Sequence, residues 1–203
     1  MEWHSNNLII VSGASGSGKS LFLKKLKKDN NSEFIASIFG KINAPRQKSF
    51  RIASIKKILN SRRKNPTNSK KSCQTTFIHY DITGARQGLK RDLLLEIMDK
   101  SDNVSVIILY TPYRFWRERM LKRQESNLSC KLPKRVRLIL GLRFNSLTGL
   151  LKYRNAYVEW QSFLNDSGIQ EIWYIDSYLE KMFNWLPSDL SVLPFARLLR
   201  RTF

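Results

Sequence analysis

The feature that most constrains this chain is an apolar run near its N-terminus that breaks into glycines. Leu8, Ile9, Ile10 and Val11 have the composition of a buried strand, and Ser12, Gly13, Ala14, Ser15, Gly16, Ser17, Gly18, Lys19 and Ser20 follow at once. Gly13 to Ser20 spells G-x-x-x-x-G-K-S. Its glycines let the backbone turn tightly, so that successive N–H groups point into one concavity sized for phosphate oxygens. After Lys19, Leu21, Phe22, Leu23 and Leu26 alternate with Lys24, Lys25, Lys27 and Lys28 as an amphipathic helix, and its N-terminal dipole lies beneath that concavity. The two flanks give the pattern its weight, because a glycine- and serine-rich linker would match the spelling without them.

This spelling is the Walker A pattern, and the strand, loop and helix are expected to form a P-loop. The expected nucleotide-binding stretch is Gly13, Ala14, Ser15, Gly16, Ser17, Gly18, Lys19, Ser20 and Leu21. Lys19 is expected to reach the β- and γ-phosphates, and the Ser20 hydroxyl to ligate Mg2+, a cation that prefers oxygen ligands.

A chain of 203 residues, 42% hydrophobic and 11% aromatic, fits one α/β domain with a sizeable core. Its formal net charge is +20, from 36 Lys and Arg against 16 Asp and Glu. No acidic residue lies between Glu33 and Asp81, or between Glu125 and Glu159, and both intervals are rich in Lys and Arg. Such segments suit a polyanionic substrate, a nucleic acid or a membrane surface, or equally a solvated basic exterior. Cys73 and Cys130 are isolated and lack metal-ligand spacing, which fits reduced thiols. With no leader pattern and no run approaching the ~20 apolar residues of a membrane span, the expectation is a cytoplasmic protein.

Along the chain, Glu33 to Phe39 reads as a short strand closed by Gly40. Residues 41–72 read as a basic insertion with helical periodicity around Phe50, Ile52, Ile55, Ile58 and Leu59. Within it Arg46, Arg51, Lys56, Arg62 and Arg63 are candidates for contacts to an anionic substrate, or simply exposed cations. Thr75 to Asp81 is a β-rich run ending on a carboxylate. In parallel α/β sheets ligands gather at the carboxyl ends of strands, so Asp81 should emerge beside the phosphate loop. There it would hold magnesium through water or act as a base towards an acceptor hydroxyl, or it would only form the turn before Thr83-Gly84. His79 reads as a strand residue, not a catalyst.

Arg91 to Lys100 is a helix, Asp102-Asn103 a turn, and Val104 to Tyr110 a strand buried on both faces. Tyr113 to Gln124 follows as an arginine-dense helix on which Arg119 and Arg123, four apart, share a face while Phe115, Trp116, Met120 and Leu121 supply the buried side. Residues 126–146 form a lid-like basic segment. A long helix from Leu147, with Leu150, Leu151, Tyr157, Val158 and Leu164 at its apolar positions, ends at Asp166-Ser167-Gly168. A last strand spans Glu171 to Asp176. Residues 186–203 are a basic tail, for which docking on the body, on a partner and on an anionic membrane are all open.

This order resembles the P-loop kinases of the nucleoside-monophosphate, shikimate and gluconate type. The resemblance rests on Gly13 to Ser20, on Val106-Ile107-Ile108-Leu109, and on Arg117-Glu118-Arg119-Met120-Leu121-Lys122-Arg123. It implies a three-layer α/β sandwich with a mostly parallel sheet over residues 1–185, and a phosphotransferase using ATP and magnesium. By that similarity Arg119 and Arg123 would contact phosphate or adenine, and Lys19, Asp81, Arg119 and Arg123 would form the catalytic set. An Asp-Arg acceptor signature in the insertion is missing, and Arg135, Arg137, Arg143 and Arg154 are only loose equivalents of lid arginines. Three functions follow. One is a small-molecule or nucleotide kinase whose acceptor is unidentified, an anionic one being open. Another is a nucleotide-regulated binding protein for nucleic acid or an anionic surface. The last is a sulfotransferase-like enzyme, suggested by Pro112 and the basic helix after a buried strand.

Overall fold

The computed structural model describes residues 5–28, 33–41, 50–55, 58, 73–83, 87–128, 147–177 and 181–183. In chain order these form β1 (Ser5–Gly13), α1 (Lys19–Lys28), α2 (Glu33–Lys41), β2 (Arg51–Ala53) and β3 (Cys73–His79). Then come α3 (Gln87–Met98), β4 (Ser101–Tyr110), α4 (Tyr113–Leu128), α5 (Leu147–Asp166), β5 (Ile172–Asp176) and β6 (Lys181–Phe183).

The six strands make one sheet in the order β2-β3-β1-β4-β5-β6, parallel except for the antiparallel β6. Side chains alternate across each strand, so the sheet divides its apolar residues between two cores. On one face Leu8, Ile10, Ile78, Val106 and Ile108 pack with Leu94 and Ile97 of α3 and with Tyr157, Trp160 and Leu164 of α5. On the other, Ile9, Val11, Phe77, Ile107 and Leu109 pack with Phe22, Leu23 and Leu26 of α1 and Ile38 and Phe39 of α2. Helices therefore cover both faces, which is why β1 and β4 are near-continuous apolar runs. Loss of one such fully buried aliphatic side chain costs about 2–5 kcal/mol.

Several sequence expectations are corrected. Glu33 to Phe39 is not a strand but the body of α2, which runs past Gly40 to Lys41. Ile38 and Phe39 face the core while Ser37, Gly40 and Lys41 are exposed, a helical pattern, and Glu33 in the first turn and Lys41 in the last complement the helix dipole. Within the interval 41–72, Arg51–Ala53 forms the edge strand beside β3. The periodicity from Phe50 to Ile58 conflates that strand with a turn in which Ile58 N donates to Ser54 O at 3.1 Å. Asp102-Asn103 is strand, not turn, since β4 begins at Ser101 and pairs with β1 from Ser5 onward. The arginine-dense helix reaches Leu128, into the segment expected as a lid. Val158 is 36% exposed and is not a core position of α5, whereas Tyr153 and Trp160 are. Arg46, Lys56, Arg62, Arg63, Arg135, Arg137, Arg143, residues 129–146 and the tail 186–203 lie outside the described residues.

Among the described residues no helix is long and apolar enough to cross a membrane.

Candidate phosphate-binding cleft

The chain leaves β1 at the centre of the sheet, between β3 on one side and β4 on the other. This is the point where the strand order reverses, and a crevice opens there outside the carboxyl ends of the strands. The loop from Gly13 to Gly18 fills it. Gly13 has φ 147°, and a Cβ there would collide with the Leu109 carbonyl and lie 2.7 Å from Ser17 Oγ, so only glycine lets β1 pass so close to β4. Gly16 has φ 84°, and a Cβ on it would approach Met120 Sδ to 2.8 Å.

The loop is fastened from several elements. Ala14 N donates to Tyr157 Oη at 3.2 Å and Ser15 N to Thr83 Oγ1 at 2.9 Å. Trp116 Nε1 donates to Ser15 O at 2.6 Å. Beneath the loop, Trp160 Nε1 donates to Ser12 Oγ at 2.9 Å. Ser17 N closes an internal turn onto Ala14 O at 3.1 Å, and Phe22 N begins the α1 ladder on Gly18 O at 2.9 Å. The amides of Gly16, Gly18, Lys19, Ser20 and Leu21 donate to no acceptor among the described residues. Ser17 Oγ is buried and also lacks a partner there. An arc of N–H donors on the N-terminus of a helix is what an anion requires.

Lys19 is 3% exposed; its Nζ donates to Gly13 O at 2.8 Å and Ala14 O at 2.6 Å and lies 3.9 Å from Asp81 Oδ2. Burial pulls its pKa down to about 8, the Asp81 carboxylate opposing that shift and the Arg123 guanidinium adding to it. Asp81 follows β3 by two residues. Its Oδ1 accepts from Thr83 N and Thr83 Oγ1, both at 2.9 Å. Thr83 thus carries a relay from Ser15 N to its hydroxyl and on to Asp81, so Asp81 both shapes its turn and faces Lys19. His79, the last residue of β3, has its pKa lowered by burial and then by Lys19, with Asp81 opposing.

Ser15, Gly16, Gly18, Lys19, Ser20, Leu21, His79, Asp81 and Arg123 line one cleft of about 330 Å³. Helix α4 crosses over the loop: Trp116 meets Ser15, Met120 meets Gly16, and Arg123 reaches the cleft. Arg119 does not line this cleft. It borders a smaller neighbouring pocket whose lining includes Gly18, Leu21, Lys25, Asp176 and Ser177. The structure therefore brings Lys19, Ser20, Asp81 and Arg123 together and sets Arg119 at the loop's other flank. Of the loosely matched arginines, Arg154 is buried on α5.

The residues could hold a phosphate group and a metal. Five loop amides and Lys19 would hold phosphate oxygens. The Ser20 hydroxyl and the Asp81 carboxylate line the same cleft and would hold magnesium, which binds through one or two protein oxygens together with phosphates and water. No group of three or more His, Cys, Asp or Glu among the described residues could hold a metal alone.

Thr83, Tyr157 and Trp160 were not singled out from sequence as loop partners. The D-x-T turn of Asp81 to Thr83 and the spacing of Tyr153, Tyr157 and Trp160 at i, i+4, i+7 were the available signals. No family model and no curated protein matches the sequence.

Proposed function

We propose that the chain is an ATP-binding P-loop phosphotransferase of the kinase-like type, which moves the γ-phosphoryl group of ATP to an unidentified acceptor with magnesium. The observation that carries this reading is the meeting of Lys19, Asp81, Arg123 and loop amides that have no acceptor among the described residues, in one cleft at the reversal point of the sheet. Lys19 exchanges its two carbonyl contacts for phosphate oxygens. Arg123 and Lys19 stabilise the charge spread over the transferring group, and Asp81 orients the metal or the acceptor oxygen. The new bond joins the acceptor oxygen to phosphorus, and the bond to the β-phosphate oxygen breaks. Magnesium, when bound, neutralises phosphate charge. The test is thermal stabilisation by ATP with magnesium. Wild-type protein is expected to gain stability and Lys19→Ala to gain none; absence of a magnesium-dependent shift with any nucleoside triphosphate would end the proposal.

A second reading has one observation behind it. Lys24, Lys25, Lys27 and Lys28 are all exposed on α1, the helix that begins in the cleft. Such a row suits a nucleotide-regulated contact to nucleic acid or an anionic surface, and affinity would then fall steeply as salt rises. Salt-independent binding removes this reading.

A further inference from the structure

The register of the sheet sets Tyr110 of β4 opposite Asp176 of β5. Thr111 and Ser177, the residues that follow the two strands, are thereby brought side by side. Ser177 N donates to Tyr110 O at 2.8 Å, and the Thr111 and Ser177 hydroxyls lie 2.6 Å apart. Thr111 is fully buried, and its own carbonyl is fixed by Tyr153 Oη at 2.6 Å. Onto this pair comes Arg119 from α4: its Nη1 donates to Thr111 Oγ1 and to Ser177 Oγ, each at 3.3 Å.

The proton count is consistent. Two hydroxyls carry two protons, one of which joins the hydroxyls to each other, and each oxygen retains a lone pair for one of the two Nη1–H groups. The Nε–H and both Nη2–H donors of Arg119 remain outside the clamp. Arg119 makes no ion pair among the described residues. A carboxylate in place of these hydroxyls would orient the guanidinium equally well but would cancel the charge that an incoming anion needs. Arg119 Nη1 also lies 3.9 Å from the position a Cβ on Gly18 would take. The guanidinium therefore stands beside the part of the loop whose Gly18 and Lys19 amides donate to nothing else among the described residues.

We propose that Thr111 and Ser177 are positioning residues, a neutral hydroxyl clamp at the ends of β4 and β5 that presents the guanidinium of Arg119, which makes no ion pair among the described residues, to an anionic group of the ligand on the Gly18–Lys19 end of the loop. The assignment rests on the nucleotide reading above. Neither hydroxyl touches the ligand; both act through Arg119.

The test is a calorimetric titration of the full-length chain with ATP and magnesium, in wild type, R119A, the double variant T111V/S177A, the triple variant and T111S. The double variant is expected to bind about tenfold more weakly, the scale of one charge-assisted hydrogen bond. T111S should stay near wild type. In the R119A background, removing both hydroxyls should cause no further loss, because the clamp has nothing left to hold. A merely structural role for Thr111 and Ser177 would weaken binding in both backgrounds, and that outcome overturns the clamp. So does a double variant that binds like wild type while R119A is impaired. Wild-type protein that binds no ATP overturns the nucleotide reading itself, and the assignment of Arg119 with it.

Discussion

The hydroxyl of Tyr157 accepts the amide proton of Ala14 across 143 residues of chain, at 3.2 Å, and donates its own proton to Leu109 O at 2.9 Å. One side chain of α5 thus ties the first turn of the Gly13–Gly18 loop to the end of β4. Tyr157 is fully buried, and burial raises its pKa to about 12, so the hydroxyl stays protonated and keeps its donor role through the physiological range.

Tyr157→Phe keeps the ring and removes three hydrogen bonds, those with the Ala14 amide and the Leu109 carbonyl and a longer one accepted from Tyr153 Oη at 3.3 Å. Leaving buried polar groups unpaired costs about 1–3 kcal/mol. Urea denaturation should show a lower midpoint with an unchanged slope. A variant as stable as wild type would mean that the tyrosine hydroxyl does not hold the loop.

Thr83 links Ser15 N to Asp81 Oδ1 through one hydroxyl. Thr83→Val keeps its shape and cuts the relay, and Thr83→Ser preserves it. Affinity for ATP with magnesium is expected to fall several-fold in the valine variant, on the scale of about 1 kcal/mol for one hydrogen bond, and to recover with serine. Equal loss in both variants would show that the methyl group matters and the relay does not.

Lys19 sets opposite pH trends for stability and for binding. Its folded pKa, about 8, lies below the ordinary lysine value of 10.5. Between these values the unfolded chain holds a proton that the folded chain has released, so the contribution of Lys19 to stability rises as pH climbs from 8 to 10.5. Bound phosphate favours the charged ammonium, so binding takes up a proton above pH 8 and weakens there. Affinity should drop by about tenfold between pH 7 and pH 9, following a single group of pKa near 8. Titrations at a series of pH values check this; in Lys19→Met the stability rise and any pH-dependent binding step should both vanish.

How much of this could be read from the sequence varies by element. β1, its loop and α1 are legible because the apolar run, the glycines and the helical period reinforce one another within a few turns. β4 is legible as a strand buried on both faces. α2 is not: EFIASIF is a short apolar run, and its length and composition do not separate a buried helix from a strand. β2 escapes because three residues at a sheet edge carry too little pattern. The start of β4 hides behind Asp102 and Asn103, turn-forming residues that here sit in strand, where Asn103 Nδ2 donates to Asn7 Oδ1 at 3.3 Å. Lys19, Ser20 and Asp81 could be named from motif and strand ends. The hold of Tyr157 and Trp160 on the loop could not, because it joins α5 to β1 through tertiary contacts that no local spacing encodes. The separation of Arg119 from Arg123 was equally hidden. Both lie on one helix face, but α4 crosses the loop so that the first meets Thr111 and Ser177 and the second meets the cleft.

The most direct measurement of the central claim is the backbone amide spectrum of the loop during titration with ATP and magnesium. The amides of Gly16, Gly18, Lys19 and Ser20, which donate to nothing among the described residues, should move strongly downfield as they acquire phosphate acceptors. Those of Ala14 and Ser15, already bonded to Tyr157 and Thr83, should move least. Saturating nucleotide that leaves the four amides in place, or shifts only residues away from this loop, would contradict the account.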